Sequence, residues 1–300
     1  MAENAMHRTG NTGPFLCSDC EYAMSSLYQF DFQPLTRVIS GPGVLKQLGE
    51  VVKALGGTRI LLVTDPGLEE VGHPQRAEKI LLEAGLAVFV FDGVEENPTT
   101  KHVAEGLAVA HREKIDFIVS VGGGSAMDCA KGINFLFTNG GEMKDYWGIN
   151  KAKKPMLPSV GVPTTAGTGS EAQSFALISD PVSHFKMACG DKKAAFKVAF
   201  LDPELTLTQP AKVAALTAMD AVTHSVESHV CTKSTALSRT FSREAWKLLY
   251  GHFKAAITRP EDITARSAVQ WGAHLAGLAI ENAMLGAAHA LANPLTAHYS

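Results

Sequence analysis

Three consecutive glycines, Gly122, Gly123 and Gly124, stand between the apolar run DFIVSV and Ser125. Backbone without Cβ atoms lets a ligand approach closely, and the first N–H groups of a helix opening there point into the turn. With the positive end of the helix dipole added, the turn suits a pyrophosphate. A tight strand-to-helix turn that uses glycine only for its φ angles is the plainer alternative. Asp65 closes another apolar run, RILLVTD. A carboxylate at a strand end can accept hydrogen bonds from a ribose diol and repels a ribose phosphate, which favours NAD over NADP. It can equally cap the helix that follows. Here the acid precedes the glycines, the reverse of the usual dinucleotide fingerprint. A third stretch, PTTAGTGSEA, satisfies Gly-x-Gly-x-x-Ala through Gly167, Gly169 and Ala172. It falls late in the chain and lacks the acid at the expected distance. Its hydroxyl-rich composition suits either a cofactor-binding loop or a polar connection.

Asp220 and His224 lie four apart in AMDAVTHSVESHV, hence on one face of a predicted helix whose packing side is Ala221, Val222 and Val226. A carboxylate and an imidazole so spaced can share a divalent metal, and they can also form an ordinary surface ion pair. His289 sits among small apolar residues in LGAAHALANPL, the setting of a core histidine or of a third ligand. Glu227 shares the face of Asp220 and His224 and could support a metal from outside its ligand shell. His184, His229 and His298 have no partner the sequence identifies. Cys17 and Cys20 form an isolated C-x-x-C in a polar leader, without the second pair or strand–helix context that a metal or redox site needs.

These residues need elements to hold them. Apolar, β-branched runs at 37–40, 59–65, 87–92, 116–121 and 159–164 alternate with helical periodicity at 44–55, 74–84, 101–114 and 125–137. Such alternation predicts a mostly parallel sheet covered on both faces, with ligands beyond the carboxyl ends of its strands. The character changes near Pro210, which can open a helix. From there 211–230, 235–256, 261–280 and 284–298 all read as helices. The expected organisation is a leader over 1–30 that is poorly ordered, an α/β domain over 31–208 and an all-helical domain over 209–300. The last helical pattern is still running at Ser300 without a stop signal.

Composition narrows the function classes. With 46% hydrophobic and 19% charged residues in a chain of 300, the sequence has the balance of a globular protein. A net charge of −3 gives no electrostatic reason to expect nucleic acid or an anionic membrane. No long unbroken apolar run and no signal-peptide core are seen, and five scattered cysteines make no disulfide framework, which points to the cytoplasm.

Taken together, the segments resemble the iron-containing (group III, metal-dependent) alcohol dehydrogenases, relatives of glycerol dehydrogenase and dehydroquinate synthase. The resemblance runs in order through PLTRVISGPGVLKQLGE, LLVTDPGL, GVEENPT, VGGGSAMDCAK, VPTTAGTGSEA, VAFLDPELT, AMDAVTHSVES and GAAHALANPL. It implies a dehydroquinate synthase-like fold: an α/β dinucleotide-binding domain followed by an all-helical metal-binding domain, here incomplete. It also implies a pyrophosphate loop at Gly122, Gly123, Gly124 and Ser125 with Asp128 alongside, and a ribose-binding acid at Asp65. Asn97, Thr164, Thr165, Thr168 and Lys186 fall on cofactor-contacting positions. Asp220, His224 and His289 fall on metal ligands.

The implied activity is hydride transfer between an alcohol and NAD, with a divalent metal polarising the alcohol or carbonyl oxygen. Fe(II) is the family's metal, and Zn(II) suits the same nitrogen and oxygen donors. The alternatives are a zinc-dependent polyol dehydrogenase of the glycerol type and a non-catalytic nucleotide-binding fragment. The expected partners are a small alcohol or aldehyde and, for a complete chain, further copies of itself. Two departures stand out. Asn293 occupies the place, four residues after the third ligand, where these dehydrogenases commonly carry a histidine near the substrate. The family's fourth ligand, a histidine on the next loop, would fall beyond Ser300, so the 300-residue chain is expected to bind metal weakly.

Overall fold

A computed structural model of the chain describes residues 27–299. Most of the leader expected over 1–30, including Cys17 and Cys20, lies outside the described residues. The predicted runs form strands β1 (Arg37–Ser40), β2 (Arg59–Val63), β3 (Ala87–Phe91), β4 (Phe117–Gly122) and β6 (Ser159–Pro163). They join β9 (Val198–Leu201) in one sheet of order β1-β9-β6-β4-β2-β3, parallel throughout. A second, small sheet holds β5 (Gly148–Ile149), β8 (Lys186–Gly190) and β7 (Phe175–Ser179), the last two antiparallel.

The helices between the strands are α1 (Leu48–Ala54), α2 (Pro66–Val71), α3 (His73–Glu83), α4 (Thr100–Glu113) and α5 (Gly124–Asn139). The single helix expected over 44–55 begins as a 3-10 turn, Val44–Gln47, because the chain enters it from Gly43 in the left-handed region. Alternate residues of β2 face opposite sides, as a pleated strand requires. Ile60 and Leu62 join Leu48, Val52, Ala77 and Leu81 of α1 and α3 in one core. Leu61 and Val63 join Val103, Ala110, Ala130 and Ile133 of α4 and α5 in the other.

This two-sided cover positions the site. The chain leaves β2 for α2 and α3 on one face and leaves β4 for α5 on the other, and β2 and β4 are neighbours. Where successive crossovers depart to opposite faces, a crevice opens beyond the strand ends. Asp65 and the glycine turn stand on either side of it.

After β9 comes a 3-10 turn, Pro203–Thr206, and then α6 (Ala211–Val230), α7 (Ala236–Thr258), α8 (Ile263–Glu281) and α9 (Ala287–Tyr299). The core of α6, α7 and α8 is built largely from alanine: Ala218, Ala221, Ala245, Ala273 and Ala276 around Leu249 and Val269. Small side chains let these helix axes approach closely. Among the described residues no helix is long and apolar enough to cross a membrane.

Candidate active site between the strand ends and the helices

The glycine turn lies where β4 gives way to α5. Gly123 is the N-cap, in an extended conformation, and no side chain caps the helix. The amides of its first turn are therefore free of side-chain acceptors, an anion-receptive arrangement. A Cβ on Gly124 would come within 2.8 Å of Thr168, so the hydroxyl loop lies directly on the turn. Thr164 donates its backbone N–H to the Gly122 carbonyl at 3.0 Å, and Thr165 is the nearest neighbour of Gly123. Asp65 caps α2 by accepting from the Leu68 N–H at 3.1 Å, while its other oxygen lies beside Gly122. Both roles weighed for Asp65 are thus geometrically open, since one carboxylate oxygen remains for a ligand. Burial pushes its pKa up, against the backbone hydrogen bonds it accepts.

The hydroxyl loop bridges the sheet and the helices. A Cβ on Gly167 would fall 2.4 Å from the Thr217 carbonyl of α6, and one on Gly277 of α8 would fall 2.6 Å from the Gly169 carbonyl. Gly169 has φ of +62°, which few other residues tolerate. Glycine is required at both contacts because backbone meets backbone.

A cavity of about 490 Å³ runs from this turn to the helices. On the sheet side Asn97, Gly124, Ser125, Asp128, Thr168 and Lys186 line it; on the helix side Asp220, His224 and His289 do. Asp65, Gly122, Gly123, Thr164 and Thr165 adjoin its sheet end without lining it. Lys186 donates to the Asn97 side chain at 2.9 Å, and Asn97 holds a left-handed φ of 55° to present it. Ile280, Met284 and Leu285 form an apolar wall near Asn293.

Ligand atoms of Asp220, His224 and His289 all lie within 4.8 Å of one another. The Nε2 atoms of both histidines are 3.3 Å from the same Asp220 oxygen, and the two rings stack at 4.7 Å. Helical spacing on α6 supplies the first pair; α9 brings the third residue across. Glu227 fixes that third residue. Its carboxylate accepts from His289 Nδ1 at 2.6 Å and from the Ala288 N–H at the start of α9. Nδ1 therefore carries the proton, and Nε2 is the nitrogen turned to Asp220. One carboxylate oxygen and two imidazole nitrogens converging in this way fit a divalent cation such as iron or zinc. Burial holds His224 below the ordinary imidazole value, whereas the hydrogen bond to Asp220 raises His289. Burial pushes Asp220 up, but the His289 hydrogen bond and the two imidazoles overcome it and hold the carboxyl low.

Sequence reasoning passed over Lys131 and Ser170. Lys131 is buried under the turn, donating to the Ser170 and Phe175 carbonyls, and the Ser170 hydroxyl donates to Asp128 at 2.6 Å. An acid and a lysine three apart on a helix read as a surface pair, and only an apolar i, i+4 surround would have hinted otherwise. His229, without a partner in the sequence, meets the Ser242 hydroxyl at 2.9 Å.

Comparison with known proteins adds a second line. Residues 35–203 match the family described as iron-containing alcohol dehydrogenase, and residues 214–300 match the C-terminal part of the Fe-containing alcohol dehydrogenase family. Alcohol dehydrogenase 4 of Schizosaccharomyces pombe is 39% identical over 86% of this chain and 61% of its own length. The NAD-dependent methanol dehydrogenase of Bacillus methanolicus is 38% identical over 89% of this chain and 70% of its own. A solved 1,3-propanediol oxidoreductase superposes with a TM-score of 0.88 at 36% identity, covering 90% of this chain and 71% of that one. The chain thus spans roughly two thirds of the length of the relatives it matches, between 61% and 70% of these two curated ones.

Proposed function

This chain belongs to the iron-containing alcohol dehydrogenase family, and from that premise we propose that its cavity is the place where hydride passes between an alcohol and NAD. The observation that carries the reading is that Gly124 and Ser125, at the helix end of the glycine turn, and the three-residue ligand cluster line one cavity. A dinucleotide gripped at one end is brought within reach of an oxygen held at the other.

In this reading the free amides of the α5 turn, with Ser125, bind the pyrophosphate. Asp65 accepts from the adenosine ribose and excludes a ribose phosphate. Lys186, held by Asn97, directs a positive charge into the cavity between the two ends. Asp220, His224 and His289 would hold a divalent cation, iron by family and with zinc as an alternative. When bound, such a cation supplies Lewis acidity toward an alcohol or carbonyl oxygen. Ile280, Met284 and Leu285 give the reacting end an apolar side that suits a short aliphatic substrate. The relatives that act on methanol and on 1,3-propanediol favour a small alcohol or aldehyde.

The cytoplasm and a homo-oligomeric state belong to the same proposal. The described cysteines Cys129, Cys189 and Cys231 are free thiols. The exposed stripe of Leu216, Met219, Val226 and Val230 along α6, in which Val226 faces solvent and not the packing side expected for it, offers an apolar surface for another copy to cover.

The test is to load the purified chain with Fe(II) or Zn(II) and follow NAD reduction with short primary alcohols, alongside NADH binding. Alcohol-dependent reduction that disappears in Asp220→Ala supports the reading. NADH binding with no turnover under any metal favours a nucleotide-binding protein without catalysis.

A further inference from the structure

Lys131 takes no part in the chemistry just described, yet it is only 1% exposed, two turns into the helix that opens at the glycine turn. Its ammonium donates to the Ser170 carbonyl at 2.7 Å, the Phe175 carbonyl at 2.8 Å and the Ser170 hydroxyl at 3.0 Å. Asp128 lies 3.9 Å away and accepts from the same hydroxyl at 2.6 Å. The Phe196 ring lies 5.2 Å from the ammonium.

An ammonium taken out of water is tolerated only when its hydrogens are satisfied and a counter-charge is near. An apolar side chain of the same length would fill this space without that cost, so the bonds must be judged by what they hold. Two of them end on main-chain carbonyls at Ser170, which opens a 3-10 turn over Ser170–Ala172, and at Phe175, where β7 begins. The segment that carries them begins at Thr168, whose side chain lies against Gly124. The gap between the glycine turn and the hydroxyl loop is therefore held from beneath by two side chains rooted in α5, Lys131 and Asp128, of which only Lys131 reaches the loop's main-chain carbonyls.

We propose that Lys131 is a positioning residue that clamps the 168–175 loop to α5 and so sets the width of the crevice in which a dinucleotide's pyrophosphate is gripped. The inference rests on the reading of the turn as a dinucleotide site. Lys131 touches no ligand itself; it acts through Ser170 and the loop backbone. It is also remote in kind from the cation cluster, which is held by α6 and α9.

Four proteins test this: wild type, Lys131→Met, Asp128→Asn and the double variant. NADH affinity is read by fluorescence, Zn(II) affinity by calorimetry and folding by circular dichroism. Losing the charged hydrogen bonds of Lys131 should weaken NADH binding by about tenfold or more while Zn(II) affinity stays within about twofold. The double variant removes both charges of the buried Lys131–Asp128 pair, so it keeps the comparison available if Lys131→Met does not fold. It should bind NADH several-fold more weakly than Asp128→Asn alone. Equal NADH affinity in those two proteins overturns the proposal, and so does a parallel loss of NADH and Zn(II) binding, which marks a merely structural lysine. A wild type that binds zinc but no NADH would instead remove the dinucleotide reading on which the clamp depends.

Discussion

At the scale of single residues, the candidate site depends on side chains whose second contact decides what the first can do. Glu227 accepts from His289 Nδ1 and from the start of α9 at once, so it sets both the ring's tautomer and the helix's approach. Glu227→Gln keeps the shape but weakens the hold on that proton. Outer partners of this kind are worth about ten- to a hundredfold in metal affinity, and Zn(II) titration of Glu227→Gln should fall in that range. An unchanged affinity would show that α9 positions His289 without help. Asp65 divides its oxygens in the same way, one capping α2 and one lying beside Gly122. Asp65→Gly should narrow the preference for NADH over NADPH, at some cost to the α2 cap. Comparing the two affinities in wild type and variant checks this, and a wild type that binds both equally would remove the role. Most of these residues could be read from the sequence because their types are unusual where they stand: three glycines after a strand, an acid at a strand end, a histidine among alanines. Lys131 could not. A lysine three residues after an aspartate is ordinary on any helix surface, and only its burial makes it informative.

At the scale of elements, the hydroxyl loop and the helices make their closest approach through glycines, beside side-chain bonds such as Ser174 to Glu281. Gly277 of α8 lies against the Gly169 carbonyl, and the hydroxyl loop cannot retreat because Thr217 stands behind Gly167. Gly277→Val forces main chain apart, and overpacking of this kind costs about 1–3 kcal/mol. A thermal melt should show a loss of several degrees, accompanied by weaker NADH binding because the displaced loop also carries Thr168. A melt within one degree of wild type would mean the contact is loose. Five of the six strands of the parallel sheet were legible as apolar runs, whereas β9 was passed over because its four residues, VAFL, are too short a run to stand out beside LDPELT. The small sheet was not legible. Its strands FALIS and KMACG are short, and KMACG carries Ala, Cys and Gly in place of branched side chains. The pairing of β1 with β9 was hidden as well, because a strand's partner some 160 residues away leaves no local trace.

At the scale of the whole molecule, a cation at Asp220, His224 and His289 would tie α6 to α9 and so link ligand binding to folding. Any ligand that binds only the folded chain stabilises it by mass action. Zn(II) or Fe(II) should therefore raise the melting temperature, and a chelator should reverse the gain. The pH dependence follows from His289. Its folded pKa is raised above 6.5, chiefly by the hydrogen bond to Asp220, so without metal its ion pairs stabilise fully below 6.5. That contribution is lost as pH rises through the folded value. A metal ligand must be unprotonated, so loading displaces the same proton and becomes easier as pH rises. The two trends oppose each other: above pH 6.5 the metal-free chain loses stability while the loaded chain keeps or gains it. The melting-temperature difference between loaded and metal-free protein should widen with pH until His289 is deprotonated, then level off. Melts at several pH values with and without Zn(II), repeated on Asp220→Ala, measure that difference. A gap that is constant with pH in wild type, or one that survives in Asp220→Ala, would place the bound cation somewhere other than this cluster.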